Sequence, residues 1–116
     1  MEHRWNRRVD TDMEVLVYHE TVPVARACAE NISLDGMFIR SQPLHFPNKT
    51  SLEVEVELTR HGQAQRYRIP ALVVHSEAGG AGLMFQRVNT SVMDVLEELM
   101  RDNGESGTQH ERGAGL

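Results

Sequence analysis

An alternating pattern marks one strand in the middle of the chain. Over residues 52–58, four aliphatic residues alternate with three glutamates (LEVEVEL). A period of two places the aliphatic side chains on one face of a strand and the glutamates on the other, whereas a helix would scatter both sets. The segment therefore predicts a half-buried strand. Its glutamate row is most simply a solvated face, with contact to a basic partner as the alternative.

Shorter apolar segments on both sides of this strand predict further strands. They are separated by turn residues, among them Gly62 and the glycines of segment 77–82. We predict strands at 13–18, 24–29, 36–40, 64–75 and 82–87. Pro70 lies inside one of these segments and predicts a bulge or an edge position there, because proline supplies no donor to a ladder.

The period changes once, toward the C-terminal end. Val92, Leu96 and Leu99, with methionines beside them, form an apolar stripe at helical spacing. Ser91 followed by Asp94 fits a capping box, so we predict an amphipathic helix of about three turns that begins there. The helix would cover an open end or a flank of the sheet.

Six strands followed by one helix predict a mainly all-β fold, a six-stranded antiparallel barrel with a C-terminal helix. Closure into a barrel removes exposed strand edges. Residues 1–11 are polar and basic without an apolar face, and we expect a flexible arm. Residues 12–102 form the predicted barrel domain with its helix. Residues 103–116 contain four glycines among polar residues, and we expect a disordered tail.

Charge and composition exclude several classes of function. The 116 residues carry 12 basic and 17 acidic side chains, a formal net charge of −5, which argues against binding of nucleic acid polymers. A small anionic ligand held by a local basic cluster remains compatible with this charge. The single cysteine, Cys28, can close no internal disulfide, and the six histidines show no pairing at metal-ligand spacing.

The sequence also predicts where the protein acts. No apolar run reaches the eighteen or so residues that span a bilayer, and the first residues lack the apolar core of a signal peptide. We therefore expect no membrane insertion and a cytoplasmic location. No nucleophile–base pair or metal site can be named, so we expect no enzyme activity and no cofactor.

Two short motifs carry the candidate chemistry. The N-terminal segment RWNRR places Arg4 and Arg8 in an R-x-x-x-R pattern, and NISLDG places Asn31, Ser33 and Gly36 in an N-x-S-x-x-G pattern. Asn31 follows Arg8 by 23 positions. With G-x-G-x-x-F at residues 80–85, this order of motifs resembles the PilZ domain family, cytosolic bacterial receptors for cyclic di-GMP.

The resemblance implies a PilZ-like barrel of the split-barrel type and a set of ligand-binding residues. By the family pattern, cyclic di-GMP would contact Arg4, Arg8, Asn31, Ser33 and Gly36, with Arg7 and Trp5 as further candidate contacts. His3 stands where the family influences whether one or two ligand molecules bind, and the sequence leaves the stoichiometry open.

The chemistry of these residues suits such a ligand. A guanidinium fork matches phosphate oxygens and the O6/N7 edge of guanine, and it can stack on a purine. Asn31 can donate and accept at a base edge, and Ser33 offers a hydroxyl. Gly36 permits a positive φ and a close approach of backbone.

Plainer interpretations stay open for several of these residues. Residues 31–36 could be only a serine or Asx turn, in which Asp35 caps the turn rather than contacting the ligand. Trp5 could stack on a base or anchor the arm on the barrel. Cys28 is most simply a small apolar residue of the interior.

The predicted function is that of a stand-alone receptor or adaptor. It would bind cyclic di-GMP, draw its basic arm onto the barrel and signal the bound state to an unidentified protein partner in motility, biofilm or pilus output. The alternative is a ligand-independent PilZ-type interaction subunit of pilus or motility machinery.

Overall fold

The strands of the chain form a closed barrel. The computed structural model describes residues 7–41 and 45–114, with side chains as far as Gly104. These residues form β1 (Val9–His19), β2 (Val22–Ile32), β3 (Gly36–Arg40), β4 (Ser51–Arg60), β5 (Gln63–Glu77), β6 (Gly80–Phe85) and α1 (Thr90–Ala114). The six strands build a closed antiparallel barrel in the order β1-β2-β3-β6-β5-β4. The predicted barrel with a C-terminal helix is therefore confirmed.

The alternation in β4 sorts its side chains as predicted. Its four aliphatic residues are at most 4% exposed and belong to the barrel core. The glutamates on the other face meet two arginines of β5, with Arg66 3.5 Å from Glu57 and Arg68 3.5 Å from Glu55. The basic partner of this glutamate row is thus the neighbouring strand of the same chain.

The strand β1 begins earlier than the sequence predicts. Val9 pairs with Ile32 and Asp10 pairs with Asn31, so the last three residues of the predicted arm belong to the barrel. Their polar composition hides this pairing, because only long-range contacts with β2 make them a strand. At the other end of the chain, β6 begins at Gly80, two residues before the predicted start.

Pro70 lies in a regular ladder. It pairs with Glu53 without a shift of register, and the irregularity of β5 falls between Val73 and His75 instead, so the predicted bulge at Pro70 is wrong. The Pro70 carbonyl accepts a hydrogen bond from the Gln86 N–H at 2.8 Å. In an antiparallel strand, the backbone N and O atoms of one residue point toward the same neighbouring strand. The Pro70 nitrogen therefore points toward β6, at a position just beyond the last residue of β6. The predicted edge strand is not found either, because β5 is paired with both β4 and β6, but no ladder bond is lost at Pro70 since its nitrogen lies just beyond the end of β6.

Helix α1 covers the place where β1 and β4 diverge. These two strands share only three paired positions. Four side chains of α1, at most 5% exposed, join the same core as the strands: Val95, Leu96, Leu99 and Met100. Arg60 at the end of β4 donates to Glu98 of the helix at 2.8 Å. The helix therefore covers the barrel, as predicted.

The helix start differs from the predicted capping box. The Asn89 side chain accepts a hydrogen bond from the Val92 N–H at 2.9 Å, and its carbonyl accepts from the Met93 N–H. Asn89 is therefore the N-cap, and Ser91 lies inside the first turn. Both residue types cap helices well, so the sequence alone could not choose between them.

The helix also continues past the three turns predicted, to Ala114. Thr11 of β1 donates to Asn103 at 2.9 Å, and the Asn103 amide donates to the Leu99 carbonyl at 2.8 Å. This tertiary contact holds a part of the chain that its composition alone does not mark as helical. The side chains beyond Gly104 lie outside the described residues, and a disordered tail in solution stays a prediction.

The capping assignment can be tested by substitution. We expect Asn89→Ala to lower the free energy of unfolding by about 0.5–2 kcal/mol, because it leaves first-turn N–H groups without a partner. Ser91→Ala is the matched control and should change the stability by less than about 0.5 kcal/mol. Chemical denaturation of the two variants measures the difference, and a larger loss in Ser91→Ala would contradict the assignment.

Candidate functional site

The two sequence motifs meet where β1 enters the barrel. Arg8 precedes Val9, the first residue of β1, and thus lies beside the end of β2. Its Nη1 donates to Asn31 Oδ1 at 2.8 Å. Arg8 is exposed and Asn31 is half-buried. The fold therefore brings together two candidate ligand residues that are far apart in sequence, and it leaves the guanidinium open to solvent.

The serine of the second motif forms a tight turn. The Ser33 N–H donates to the Gly36 carbonyl at 2.8 Å, and the Asp35 N–H donates to Ser33 Oγ at 3.2 Å. The Ser33 hydroxyl donates to the Asp35 carboxylate. Ser33 is only 1% exposed. These bonds form a serine turn in which Asp35 is the cap, and a ligand contact by Ser33 stays a prediction.

Gly36 is required by the packing of two strands. A Cβ at this position would lie 2.1 Å from the Leu83 carbonyl oxygen of β6. The φ of Gly36 is not positive, so of the two properties that a glycine permits here the structure uses the close approach of backbone and not the left-handed conformation. Next to it, the Phe85 N–H donates to the Asp35 carbonyl at 2.9 Å. Gly36 holds the turn against β6, and its contact with a ligand stays a prediction.

Of the remaining candidate ligand residues in the arm, the structure describes Arg7. Arg4 and Trp5 lie outside the described residues. Arg7 is exposed and its guanidinium lies beside Gly104 of α1, on the helix side of the arm rather than toward Asn31.

A further surface, which the sequence motifs do not indicate, lies next to Asn31. Phe38 of β3 pairs with Asn31, and Arg40 lies two residues further along the same outer face. Arg40 Nε donates to Glu30 at 2.7 Å, and Nη1 donates to Glu77 at 3.2 Å. The hydrogen bond to Glu30 raises the pKa of Arg40. Alternation in GMFIR could have indicated that Phe38 and Arg40 share a face, but not that Asn31 lies beside it.

A histidine on β5 completes this charged cluster. His75 Nε2 lies 3.0 Å from Glu77 Oε1. This hydrogen bond, together with the one from Arg40, lowers the pKa of Glu77. The carboxylate is therefore ionised at neutral pH and holds the Arg40 guanidinium in place.

The thiol of Cys28 and the metal-ligating residue types of the described chain can also be placed. Partial burial, with the nearby carboxylates of Asp12, Glu30 and Glu14, raises the pKa of Cys28 and keeps it a thiol. Within residues 7–41 and 45–104, whose side chains the structure describes, no cluster of three or more histidine, cysteine or acidic side chains is placed to hold a metal ion. Among the same residues, no helix has the length and apolar character needed to cross a bilayer.

Comparisons with known proteins place this geometry in context. The family model of the PilZ domain matches residues 2–102. A search of curated proteins finds no match.

Among solved structures, the PilZ domain of CeSA from a cellulose-synthesizing bacterium is 16% identical, with a TM-score of 0.67 over 84% of this chain and 97% of that one. The Bacillus subtilis inhibitor of motility MotI/DgrA is 19% identical, with a TM-score of 0.69 over 88% of this chain and 51% of that one. This chain thus spans about half of the motility inhibitor. The PilZ domain of Escherichia coli YcgR, solved with c-di-GMP, is 12% identical, with a TM-score of 0.74 over 97% of this chain and 98% of that one. These TM-scores show a shared fold.

The packing role of Gly36 gives a stability prediction. We expect Gly36→Ala to lower the free energy of unfolding by about 3 kcal/mol or more, because the backbone of β6 cannot move away from the new methyl group without breaking the ladder. The control is Gly62→Ala, whose added Cβ meets nothing within 4 Å. Its positive φ should cost only about 1 kcal/mol. Thermal unfolding distinguishes the two, and equal losses would contradict the packing role.

Proposed function

The chain belongs to the PilZ domain family, and we propose that it is a cytoplasmic, non-enzymatic receptor for cyclic di-GMP that signals its bound state to a partner protein. The observation that carries the proposal is the 2.8 Å contact between Arg8 and Asn31, which joins the two motifs at one point of the surface. The related YcgR domain, solved with c-di-GMP, supports the choice of ligand.

The chemistry at this point suits a cyclic dinucleotide. The exposed Arg8 guanidinium can exchange its hydrogen bond with Asn31 for bidentate contacts to a phosphate or to a guanine edge. The Asn31 amide is then available to donate to and accept from a base. On our proposal, Arg4 joins Arg8 in contacting the ligand, while Ser33 and Gly36 shape the turn that supports Asn31.

The signalling part of the proposal rests on the connection between the arm and the helix. Thr11, three residues after Arg8, donates to Asn103 of α1 at 2.9 Å. A ligand that moves Arg8 therefore acts on a strand that is bonded directly to the helix. A partner that recognises α1 or the arm would bind one of the two states better than the other.

The ligand assignment is tested by calorimetric titration with cyclic di-GMP. We expect Arg8→Ala and Asn31→Ala each to weaken binding about 5-fold to 150-fold, the range for loss of charge-assisted or buried hydrogen bonds of about 1–3 kcal/mol. Arg26→Ala is the matched control, because Arg26 is an exposed arginine that pairs with the exposed Glu14 at 3.3 Å. Its dissociation constant should stay within twofold of the wild type. No heat with the wild-type protein would contradict the receptor and favour a ligand-independent interaction subunit.

The signalling route is tested by NMR. Addition of cyclic di-GMP should shift the amide resonances of Asn103 and its neighbours in α1 as well as those around Asn31. Thr11→Val removes the hydroxyl donor and should keep ligand affinity while it reduces the shifts in α1. Helix resonances that stay unchanged in the liganded wild-type protein would contradict this route and leave the ligand assignment intact.

A further inference from the structure

A cavity opens in the outer face of the barrel where β1 and β4 diverge. The ladder between these strands stops at the pair of Leu16 and Glu55, although both strands continue beyond it. The cavity at this point, which we call the seam cavity, has a volume of about 360 Å³ including its open mouth. None of the residues that line it is a candidate contact for cyclic di-GMP.

Carboxylates line the seam cavity from both strands that border it. Glu14 comes from β1, and Glu55 and Glu57 come from β4. Arg26 of β2 and Arg66 of β5 also line the cavity, from the neighbouring strands on either side. Three carboxylates against two guanidiniums leave the seam cavity with a negative charge.

Glu55 is the least exposed of these carboxylates, and it lacks a close donor. Its side chain is 11% exposed, whereas those of Glu14 and Glu57 are 62% and 52% exposed. Among the described residues, the nearest cationic nitrogens lie 3.5 Å away on Arg68 and 3.9 Å away on Arg66. Charge-assisted hydrogen bonds of this type are about 2.7–2.9 Å long. A carboxylate withdrawn from water without a close donor is costly, so Glu55 can gain from a donor that enters from outside.

The flanking arginines leave space for such a donor. The side chains of Arg26 and Arg66 are 67% and 66% exposed, and they contact Glu14 and Glu57 at 3.3 and 3.5 Å. Exposed ion pairs of this kind contribute little to stability. Both guanidiniums can therefore turn toward solvent at small cost when another cation enters the cavity.

The arrangement of the carboxylates favours an organic cation over a metal ion. Within the part of the chain whose side chains the structure describes, no three acidic, histidine or cysteine side chains are placed to hold a metal. An ammonium group carries three donors that point in different directions, which suits carboxylates that arrive from two strands, whereas the donors of a guanidinium lie in one plane. The methylene groups of a lysine can pack against the half-buried Leu16 in the cavity lining.

We infer that the seam cavity is a docking site for a lysine side chain of a partner protein. The inference rests on the proposed function only in giving this lysine to the signalling partner, and it uses none of the candidate ligand residues. The cavity is open and lies near the lower end of the range of about 300–1,000 Å³ for ligand pockets, so a free amine would gain few contacts there. A lysine carried by a protein also gains contacts from the surrounding surface, and the net charge of −5 favours the approach of a basic partner.

The experiment is an NMR titration of the protein with N-acetyl-lysine methylamide in the absence of cyclic di-GMP. We expect the amide resonances of residues 14–16 and 55–57 to shift with a dissociation constant in the millimolar range. Acetylation of the amino group of the probe should abolish these shifts. Glu55→Gln should weaken binding of the probe fivefold or more.

Glu53→Gln is the matched control for this variant. Glu53 lies on the same face of β4 and also pairs with Arg68, at 3.7 Å, but it does not line the seam cavity. Its replacement should change the affinity for the probe less than twofold.

Thermal unfolding separates a binding role of Glu55 from a structural one. Because Glu55→Gln removes no close hydrogen bond, it should lower the unfolding midpoint no more than Glu53→Gln does. A clearly larger loss in Glu55→Gln would show that its ion pairs hold the barrel together, and it would overturn the inference.

The remaining outcomes keep this inference apart from the proposed function. Shifts that are absent, or that survive Glu55→Gln, overturn the docking site whatever cyclic di-GMP does. Spermidine that shifts the same resonances with at least tenfold higher affinity would overturn the protein partner and assign the cavity to a free polyamine. A protein that binds the lysine probe at the seam cavity but binds no cyclic dinucleotide would overturn the receptor and support the docking site.

Discussion

The approach of β3 to β6 at Gly36 is the constraint on which the candidate site depends. Only a residue without a Cβ allows the Leu83 carbonyl so close, and this contact fixes the turn that ends at Gly36. This turn sets the register of β2 against β3, and it therefore places Asn31 beside Phe38. A packing requirement in the barrel wall thus determines which side chains share the outer surface.

Charge is distributed unequally over this acidic barrel. On the β4–β5 face, arginines and glutamates pair across strands, and Arg68 also lies 3.7 Å from the Tyr18 ring centroid. At the entry of β1, Arg8 contacts a neutral amide instead of a carboxylate. An anion meets less competition at the second place, because no carboxylate of the described residues has to be displaced from Arg8 there. The net charge of −5 is therefore compatible with an anionic ligand at one locality.

Local patterns predicted much of the fold, and long-range pairing accounts for what they missed. Alternation located β4, and Gly62 located the hairpin that follows it. The start of β1 at Val9 escaped prediction because its residues become a strand only against β2. For the site, the motifs indicated Arg8 and Asn31, which the fold brings together. Phe38 was missed because its position beside Asn31 follows from strand register, which no local window contains.

The unequal pairing around the barrel has a mechanical consequence. β4 and β5 are joined at ten positions, whereas β1 and β4 are joined at three. The barrel is therefore more rigid where β4 meets β5 than at the seam where β1 meets β4. Helix α1 lies over this seam. A force applied at the start of β1 would meet three paired positions at this seam and ten between β4 and β5, which is the asymmetry that the proposed route from Arg8 to the helix requires.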